Sequence, residues 1–335
     1  DPWFWADEFD SPLLSRGFDV LSQEVLSQQI TKRVRSWVSL LPGAEQVQID
    51  VADASRCKCL EAIRIFEKDA ERTFVPKDDA QVQERTAVRQ QKQVEHLKLV
   101  YSEVQDYHQG LGYIVAFLQL FLEAKELAQI AIALHRSEKH CEGYFRSESQ
   151  AFVRDARVLR KLTEEQLPEV AAHFARFGVI PEMYSVKWFV GLTVHFLPLT
   201  QMLDFWEAYF AHGYEWVFAF GLEFFREFRS ELLAEESTAG VMTILRMEDP
   251  RADWRFPPKL VQQDAVVDRL TRVNLAAIEA IASDSLRADR LGQLREVEAA
   301  KVAEEVERAR QRMQELADDD DGIVFSDEEE EDDDL

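Results

Sequence analysis

The 335-residue chain is poor in the residues that punctuate strands and turns, with only 12 glycines and 10 prolines. A fold of many short strands joined by tight turns uses more of both, so the scarcity favours an all-helical protein. The cysteines are also few. Cys57, Cys59 and Cys141 are odd in number and do not make a disulfide scaffold, which indicates a reducing compartment. No second Cys pair or His pair accompanies Cys57 and Cys59, so a zinc site is not expected.

Long apolar runs and excess positive charge are missing as well. The longest nonionic, mainly apolar run, Gly110 to Leu122, is too short for a bilayer span, which takes about 20 residues. The 39 basic residues are outnumbered by 63 acidic ones, giving a net charge of -24. Such a surface repels phosphate backbones and anionic lipid, so neither nucleic acid nor direct membrane insertion is expected. The 22 Phe and 7 Trp, by contrast, are ample material for a core.

The ends of the chain differ in composition from its middle. Residues 1–19 form an aromatic lead-in segment with Trp3, Phe4 and Trp5, expected to pack onto a neighbouring surface. Residues 318–334 hold twelve acidic residues and no basic one, and like charges repel, so we expect a disordered acidic tail over 318–335. The remaining boundaries that we predict are a main helical domain over 20–250 and a C-terminal helical extension over 251–317.

Helical periodicity of apolar residues runs through the middle of the chain. It predicts helices over 20–41, 54–71, 145–178, 183–197, 199–212, 214–234 and 259–281. Residues 97–134 are the most apolar part, so a central helix surrounded by others is expected there. Residues 77–94 are polar and predict a solvated stretch or an exposed helix. Residues 286–316 predict a charged helix, whose thin apolar stripe favours packing against the body over a coiled coil.

Three short segments stand in a recognisable order. The first is Phe66–Thr73, with Asp69 and Arg72, and the second is Tyr107–Gly110. The third comprises Trp188-Phe189, Phe196-Leu197-Pro198-Leu199, Phe205-Trp206-Glu207 and Gly213, and Arg33 and Trp37 precede all three. Together they resemble the I-x-x-D-x-x-R-T, Y-x-Q-G, W-F…F-P-L…I-W-D…G and R-x-x-x-W motifs of the TBC-domain family of Rab GTPase-activating proteins.

That resemblance implies an irregular, all-α TBC-type domain over 20–250 and a set of roles. Arg72 would be an arginine finger and Gln109 a glutamine finger, both entering the nucleotide site of a Rab in trans. A guanidinium is permanently charged and forked, which suits the charge that develops on phosphate oxygens, and a carboxamide can hold the attacking water. Asp69 would orient Arg72, since it lies three residues earlier on the same helical face. Tyr107 would be a rigid wall beside Gln109, and Gly110 would let a bulky partner approach.

The sequence departs from the family pattern at four points. Phe66 stands for Ile and Glu207 for Asp, one extra residue separates Thr73 from Pro76, and the N-P-x-V-G lead-in before Tyr107 is missing. Two alternatives therefore stay open. The first is a TBC-fold binding module or scaffold that engages a Rab without activating it, and the second is a helical scaffold of another family. Taken singly, Arg72 is also an ordinary surface arginine and Gln109 an ordinary helix-start side chain.

The resemblance also implies partners and place. The chain would be a GTPase activator and not a hydrolase by itself, and it would hold no cofactor, since GTP and Mg²⁺ belong to the partner. It would act in the cytoplasm on vesicle traffic, recruited to endomembranes through partners. Ser326 precedes Asp327, Glu328 and Glu329, which suits an acid-directed kinase of the casein-kinase type, so the tail is a candidate site for a regulatory partner or kinase.

Overall fold

The computed structural model describes residues 1–7, 23–74, 80–140, 143–146, 149–194, 196–197, 199–247, 272–278 and 288–320. Every regular element in these ranges is a helix, which confirms the predicted all-α class. The α-helices are Pro2–Asp7, Gln23–Arg35, Trp37–Leu40, Leu60–Thr73, Ala80–Val104, Gln109–Leu118, Ala124–Arg136, Gln150–Gln166, Pro168–Arg176, Val186–Phe189, Leu199–His212, Tyr214–Glu227, Arg229–Ala234, Thr238–Arg246 and Ala288–Asp320. Two short 3₁₀ helices cover Val51–Arg56 and Pro181–Met183. None of these described helices combines the length and apolar composition that crossing a membrane requires.

Two of these helices carry the candidate site, and they and the C-terminal helix are given names. The Arg72 helix is Leu60–Thr73, the Gln109 helix is Gln109–Leu118, and the C-terminal helix is Ala288–Asp320. The Gln109 helix is buried from Gly110 to Leu118 except at Tyr113, as expected for a helix that is apolar on all sides. It packs against the Arg72 helix and against the helices Ala80–Val104 and Ala124–Arg136.

Aromatic side chains fill the second half of the core. Trp188 is fully buried, and its ring centroid lies 5.3–5.8 Å from the rings of Phe196, Phe220, Phe224 and Phe225. Edge-to-face and tilted contacts of this kind add to the free energy gained from apolar burial. These phenylalanines thus serve core packing. The sequence predicts the same role for Trp188, Phe189 and Trp206, and all three are buried.

Some predicted helices have different bounds in the structure. The helix expected over 20–41 is divided at Ser36 into Gln23–Arg35 and Trp37–Leu40, and the Ser36 hydroxyl donates to the Arg33 carbonyl at 2.7 Å. A serine hydroxyl that bonds the preceding turn competes with regular helix geometry. The helix expected over 54–71 begins at Leu60, after the 3₁₀ helix Val51–Arg56.

The polar stretch at 77–94 is partly buried in the structure. The helix Ala80–Val104 covers most of it, and Thr86, Arg89 and Gln93 are buried. Their partners come from distant parts of the chain. Arg89 Nε bonds the Asp1 carboxylate at 2.8 Å, and Gln93 Nε2 donates to the Gly112 carbonyl at 3.1 Å. Long-range partners of this kind make burial of polar side chains tolerable, and no local pattern announces them.

The first helix and the first half of the C-terminal helix lie against the body. Phe4 and Trp5 are buried with their ring centroids 5.5 and 6.1 Å from that of Phe121, whereas Trp3 is exposed. The C-terminal helix packs along Gln150–Gln166 through Leu291, Leu294 and Val302. It continues to Asp320, three residues into the predicted acidic tail. Residues 8–22, 248–271, 279–287 and 321–335 lie outside the described residues, and so do the features that the sequence predicts for them.

The C-terminal helix is tied to the body by a buried carboxylate. Asp155 is fully buried and accepts hydrogen bonds from Arg154, from Arg295 at 2.9 and 3.2 Å, and from the Tyr144 hydroxyl. The Arg295 guanidinium also lies over the ring of Tyr214, 3.7 Å from its centroid. Burial alone raises the pKa of Asp155, and the two arginines outweigh it, so the pKa lies below the ordinary value.

Candidate functional site

Arg72 lies in the last turn of the Arg72 helix, where the chain leaves the core. The helix buries Ala62, Phe66, Asp69, Ala70 and Thr73 on one face. Arg72 points away from that face, and its side chain is 67% exposed. The helix ends at Thr73, and the next residue, Phe74, is extended. The Thr73 hydroxyl donates to the Asp69 carbonyl at 2.7 Å and closes the last turn. The Arg72 guanidinium therefore faces solvent at the end of a helix that is fixed by its buried face.

Asp69 joins the first motif to the second. Its Oδ2 accepts a hydrogen bond from the Tyr107 hydroxyl at 2.9 Å, and its Oδ1 lies 3.8 Å from Nη1 of Arg72. The Asp69 side chain is only 8% exposed, so the carboxylate acts as a fixed anchor between an exposed cation and a largely buried phenol. Burial, followed by the negative charge of Asp69, raises the pKa of Tyr107, which keeps the hydroxyl protonated as the donor.

The Tyr107 ring fits a slot formed by three further residues. Its centroid lies 4.8 Å from that of Phe66 in an edge-to-face contact. A Cβ added at Gly112 would lie 2.5 Å from the Tyr107 oxygen, so only glycine leaves room for the hydroxyl at that position. Gln93 holds the Gly112 carbonyl from the other side. Gly112 and Gln93 are site residues that sequence reasoning missed, because their role depends on contacts 5 and 19 residues away.

Gln109 is the first residue of its helix and is half-buried. The turn that leads to it uses an unusual backbone conformation, since Gln105 has a positive φ of 52°. His108, which directly precedes Gln109, is extended, and its Nδ1 accepts a hydrogen bond from the Gly110 amide at 3.1 Å. His108 therefore caps the helix that carries Gln109. Its place directly before an apolar helical run was the one available signal.

Gly110 has a packing role within the protein. It is buried, and a Cβ there would lie 2.1 Å from Cγ1 of Val190 and 3.0 Å from its carbonyl oxygen. The space beside Gly110 is thus filled by the chain's own Val190, which differs from the expectation that this glycine leaves room for a partner. Close contact between the Gln109 helix and the segment at Val190 fixes the helix start.

Tyr113 is a second phenol near the same carboxylate. Burial, followed by the negative charge of Asp69, raises the pKa of Tyr113, and the positive charge of Arg72 acts in the opposite direction. Tyr113 is the one half-buried residue in the otherwise buried run of the Gln109 helix. It therefore belongs to the same surface as Arg72 and Asp69, although no motif names it.

The residues Arg33, Trp37 and Glu207 form a separate structural tie. Glu207 accepts hydrogen bonds from Arg33 at 2.6 and 2.9 Å and from Trp37 Nε1 at 3.0 Å. Burial acts to raise the pKa of Glu207, and the bonds from Arg33 and Trp37 outweigh it, so its pKa lies below the ordinary value. Trp37 also stacks on Trp206, with centroids 5.2 Å apart. Glu207, which stands where the resembling family has Asp, thus reaches both partners.

The histidines and cysteines that the structure describes do not gather into a metal site. Within the described residues, no group of three or more His, Cys, Asp or Glu side chains could hold a metal ion. His140 is buried with Nε2 bonded to the Phe210 carbonyl at 3.1 Å, a core arrangement. Cys141, His195 and Pro198 lie outside the described residues.

The fold and the two joined motifs define the class of protein. The all-helical architecture is similar to the crystal structure of the Chlamydomonas flagellar RabGAP TBC domain, with a TM-score of 0.56 and 16% identity, over 81% of this chain and 88% of that one. At that identity the likeness concerns the fold. The class is therefore the helical TBC domain.

The family follows from the sequence comparison. The Rab-GTPase-TBC domain model matches residues 45–233, more than half of the chain, and the chain belongs to that family. It is 27% identical to Carabin of Mus musculus over 177 residues, 53% of this chain and 38% of that protein. It is 25% identical to the GTPase activating protein Gyp51 of Schizosaccharomyces pombe over 217 residues, 61% of this chain and 20% of that protein. The chain therefore spans less than half the length of either relative.

Proposed function

We propose that this chain accelerates GTP hydrolysis by a Rab-type small GTPase, with Arg72 and Gln109 entering the partner's nucleotide site in trans. The observation that carries the proposal is the hydrogen bond between Tyr107 and Asp69, which unites the Arg72 motif and the Gln109 motif in one site. Family membership supports a Rab as the partner. The chain is then an activator, and the GTP and Mg²⁺ belong to the GTPase.

The exposure of Arg72 suits an arginine that leaves its own surface. At 3.8 Å its contact with Asp69 is longer than a hydrogen bond, and the side chain is two-thirds exposed. Water around the exposed guanidinium screens this long contact, so releasing Arg72 from Asp69 costs little. The guanidinium is then available to the charge that develops on the γ-phosphate in the transition state.

The position of Gln109 suits a residue that holds a water. It begins a ten-residue helix whose first amide groups and dipole carry partial positive charge. A negatively charged phosphate near this helix start is favoured by the same groups. The carboxamide accepts from the attacking water and donates to a phosphate oxygen, a pair of bonds that a single amide side chain can make.

The test is a GTP-hydrolysis assay against a panel of purified, GTP-loaded Rabs. Phosphate release is measured at a saturating concentration of this chain. Arg72→Lys keeps the charge and loses the planar fork, so stimulation should fall by most of the roughly 10³–10⁵-fold that a trans arginine supplies. Binding to the GTP-loaded Rab should persist. Arg64→Lys, at an exposed arginine of the same helix, is the matched control and should stimulate like the wild type. Full stimulation by Arg72→Lys would refute the assignment, and binding without stimulation by the wild type would favour the scaffold alternative.

The cellular role follows from the proposed reaction. Hydrolysis switches a Rab off, so the chain would regulate vesicle traffic from the cytoplasm after recruitment to endomembranes through partners. We also propose Ser326, which precedes three acidic residues, as the substrate of an acid-directed kinase. Incubation with such a kinase followed by mass spectrometry tests this, and an unmodified Ser326 would exclude it.

A further inference from the structure

His108 holds the start of the Gln109 helix through an acceptor that exists in only one protonation state. Its backbone is extended, with φ -135° and ψ 147°, and its Nδ1 accepts the Gly110 amide proton at 3.1 Å. Helix caps are usually Ser, Thr, Asp or Asn, whose oxygens accept at every physiological pH. Imidazole accepts at Nδ1 only when it is neutral with the proton on Nε2, because both nitrogens donate in the charged ring.

The surroundings of His108 favour the neutral ring. Burial lowers the pKa of His108, and the carboxylates of Asp69 and Asp106 act in the opposite direction without cancelling that effect. Asp69 comes from the Arg72 helix and Asp106 from the loop that carries His108 itself. A protonated ring would also add positive charge at the positive end of a helix, which is unfavourable.

We propose that His108 is a positioning residue, whose neutral imidazole fixes the first helical turn and with it the Gln109 side chain, and whose protonation releases both. The inference rests on the proposed function for the task of Gln109, whereas the capping of the helix is a property of the chain alone. His108 is therefore the element that makes glutamine-dependent stimulation sensitive to acidification.

The direction of the pH effect follows from the lowered pKa. The folded protein prefers the neutral ring, so below the ordinary value of about 6.5 the unfolded chain binds more protons than the folded one. The stabilisation is complete above that value and is lost as the pH falls through the lowered pKa of the folded protein. The Gln109 helix should open at its first turn over this interval, and stimulation should decline with it.

The experiment compares the wild type with His108→Asn and His108→Ala at about pH 7.5 and pH 5.5. Asn is a good cap and does not titrate, whereas Ala cannot cap. Amide-exchange protection factors of residues 109–112 measure whether the first helical turn is closed. The rate of single-turnover hydrolysis, at a saturating concentration of this chain, measures whether Gln109 is in place. Rates are compared between variants at each pH, since the GTPase titrates too. His135→Asn, at a half-buried histidine of the neighbouring helix, is the matched control.

The wild type and His135→Asn should lose protection and stimulation at pH 5.5, whereas His108→Asn should keep both. His108→Ala should be low at both pH values, by roughly 2- to 30-fold, the range that a lost cap spans. Wild-type protection in His108→Ala, or the same acid loss in His108→Asn as in the wild type, would overturn the inference. Protection that follows His108 without any stimulation of a Rab would instead leave the cap in place and overturn the proposed function.

Discussion

The Tyr107 hydroxyl lies 2.9 Å from Oδ2 of Asp69, and this hydrogen bond spans 38 residues of sequence to join the two motifs of the site. One oxygen of the carboxylate serves Tyr107, and the other faces Arg72. Asp69 thereby fixes the position of the end of the Arg72 helix relative to the start of the Gln109 helix. A change in either motif should be measurable in the other.

Tyr107→Phe removes the hydroxyl and leaves one oxygen of a buried carboxylate without its donor. We expect a loss of about 1–3 kcal/mol in the free energy of unfolding, the cost of an unsatisfied buried acceptor, together with reduced stimulation. Urea denaturation and the hydrolysis assay measure the two effects. Tyr101→Phe, at another tyrosine whose ring packs on Phe66, is the control and should retain stimulation. Wild-type stability and stimulation in Tyr107→Phe would mean that Asp69 does not need this bond.

Gly112→Ala should disturb the same bond from the opposite side. The added Cβ would lie 2.5 Å from the Tyr107 oxygen, so the phenol must move, at a cost of about 1–3 kcal/mol for overpacking. Gly292→Ala is the matched control, because a Cβ there meets nothing within 4 Å in the C-terminal helix. That change should stabilise the protein by about 0.5–1 kcal/mol, since alanine is the better helix former. Equal effects of the two changes in thermal denaturation would contradict the proposed crowding.

Gln109 should replace the water-positioning glutamine of the GTPase itself. If so, a responsive Rab whose catalytic glutamine is changed to alanine should still be stimulated, and Gln109→Ala should abolish that stimulation with Arg72 intact. The effects of Arg72→Ala and Gln109→Ala should be strongly non-additive, because the two side chains serve one transition state. No response from the altered Rab, combined with a harmless Gln109→Ala on the normal Rab, would leave Arg72 alone as the catalytic group.

Asp155 should make the attachment of the C-terminal helix sensitive to acid. Its lowered pKa means that the stabilisation is present above the pKa of the unfolded chain and is lost as the pH falls through the folded value. Arg295→Met removes one of its partners and should cost about 1.5–3 kcal/mol, with increased amide exchange across residues 288–302. Arg290→Met, at an exposed ion pair with Glu165, should cost well under about 1 kcal/mol. Unchanged exchange in Arg295→Met would show that apolar packing alone holds the helix.

The acidic residues after Asp320 should be dispensable for catalysis. A chain that ends at Asp320 should stimulate the responsive Rab at the wild-type rate, because the contacts that hold Arg72, Asp69, Tyr107 and Gln109 lie within residues 60–118 and at Val190. Single-turnover hydrolysis with both chains measures this. A large loss in the shortened chain would instead assign the tail a direct part in the reaction.

Local pattern was enough to predict the helical class, the central burial of the Gln109 helix, and the proximity of Asp69 to Arg72 one turn later, although the two side chains lie on different faces of the helix. It was not enough wherever a residue's role depends on a distant partner. Composition predicts that Arg89 and Gln93 face solvent, yet both are buried, and Asp1 and Gly112 supply hydrogen-bond partners from distant parts of the chain. His108 was missed for a different reason, since histidine is an uncommon helix cap and its acceptor role appears only in the backbone geometry.

The far end of the C-terminal helix has a mechanical consequence. From Glu307 to Leu316 every side chain is exposed, and the helix continues to Asp320. At about 1.5 Å per residue this stretch is a stiff spacer of roughly 20 Å. A partner that bound the acidic residues after Asp320 would therefore attach beyond this spacer, so its binding would not need to reshape the surface that carries Arg72.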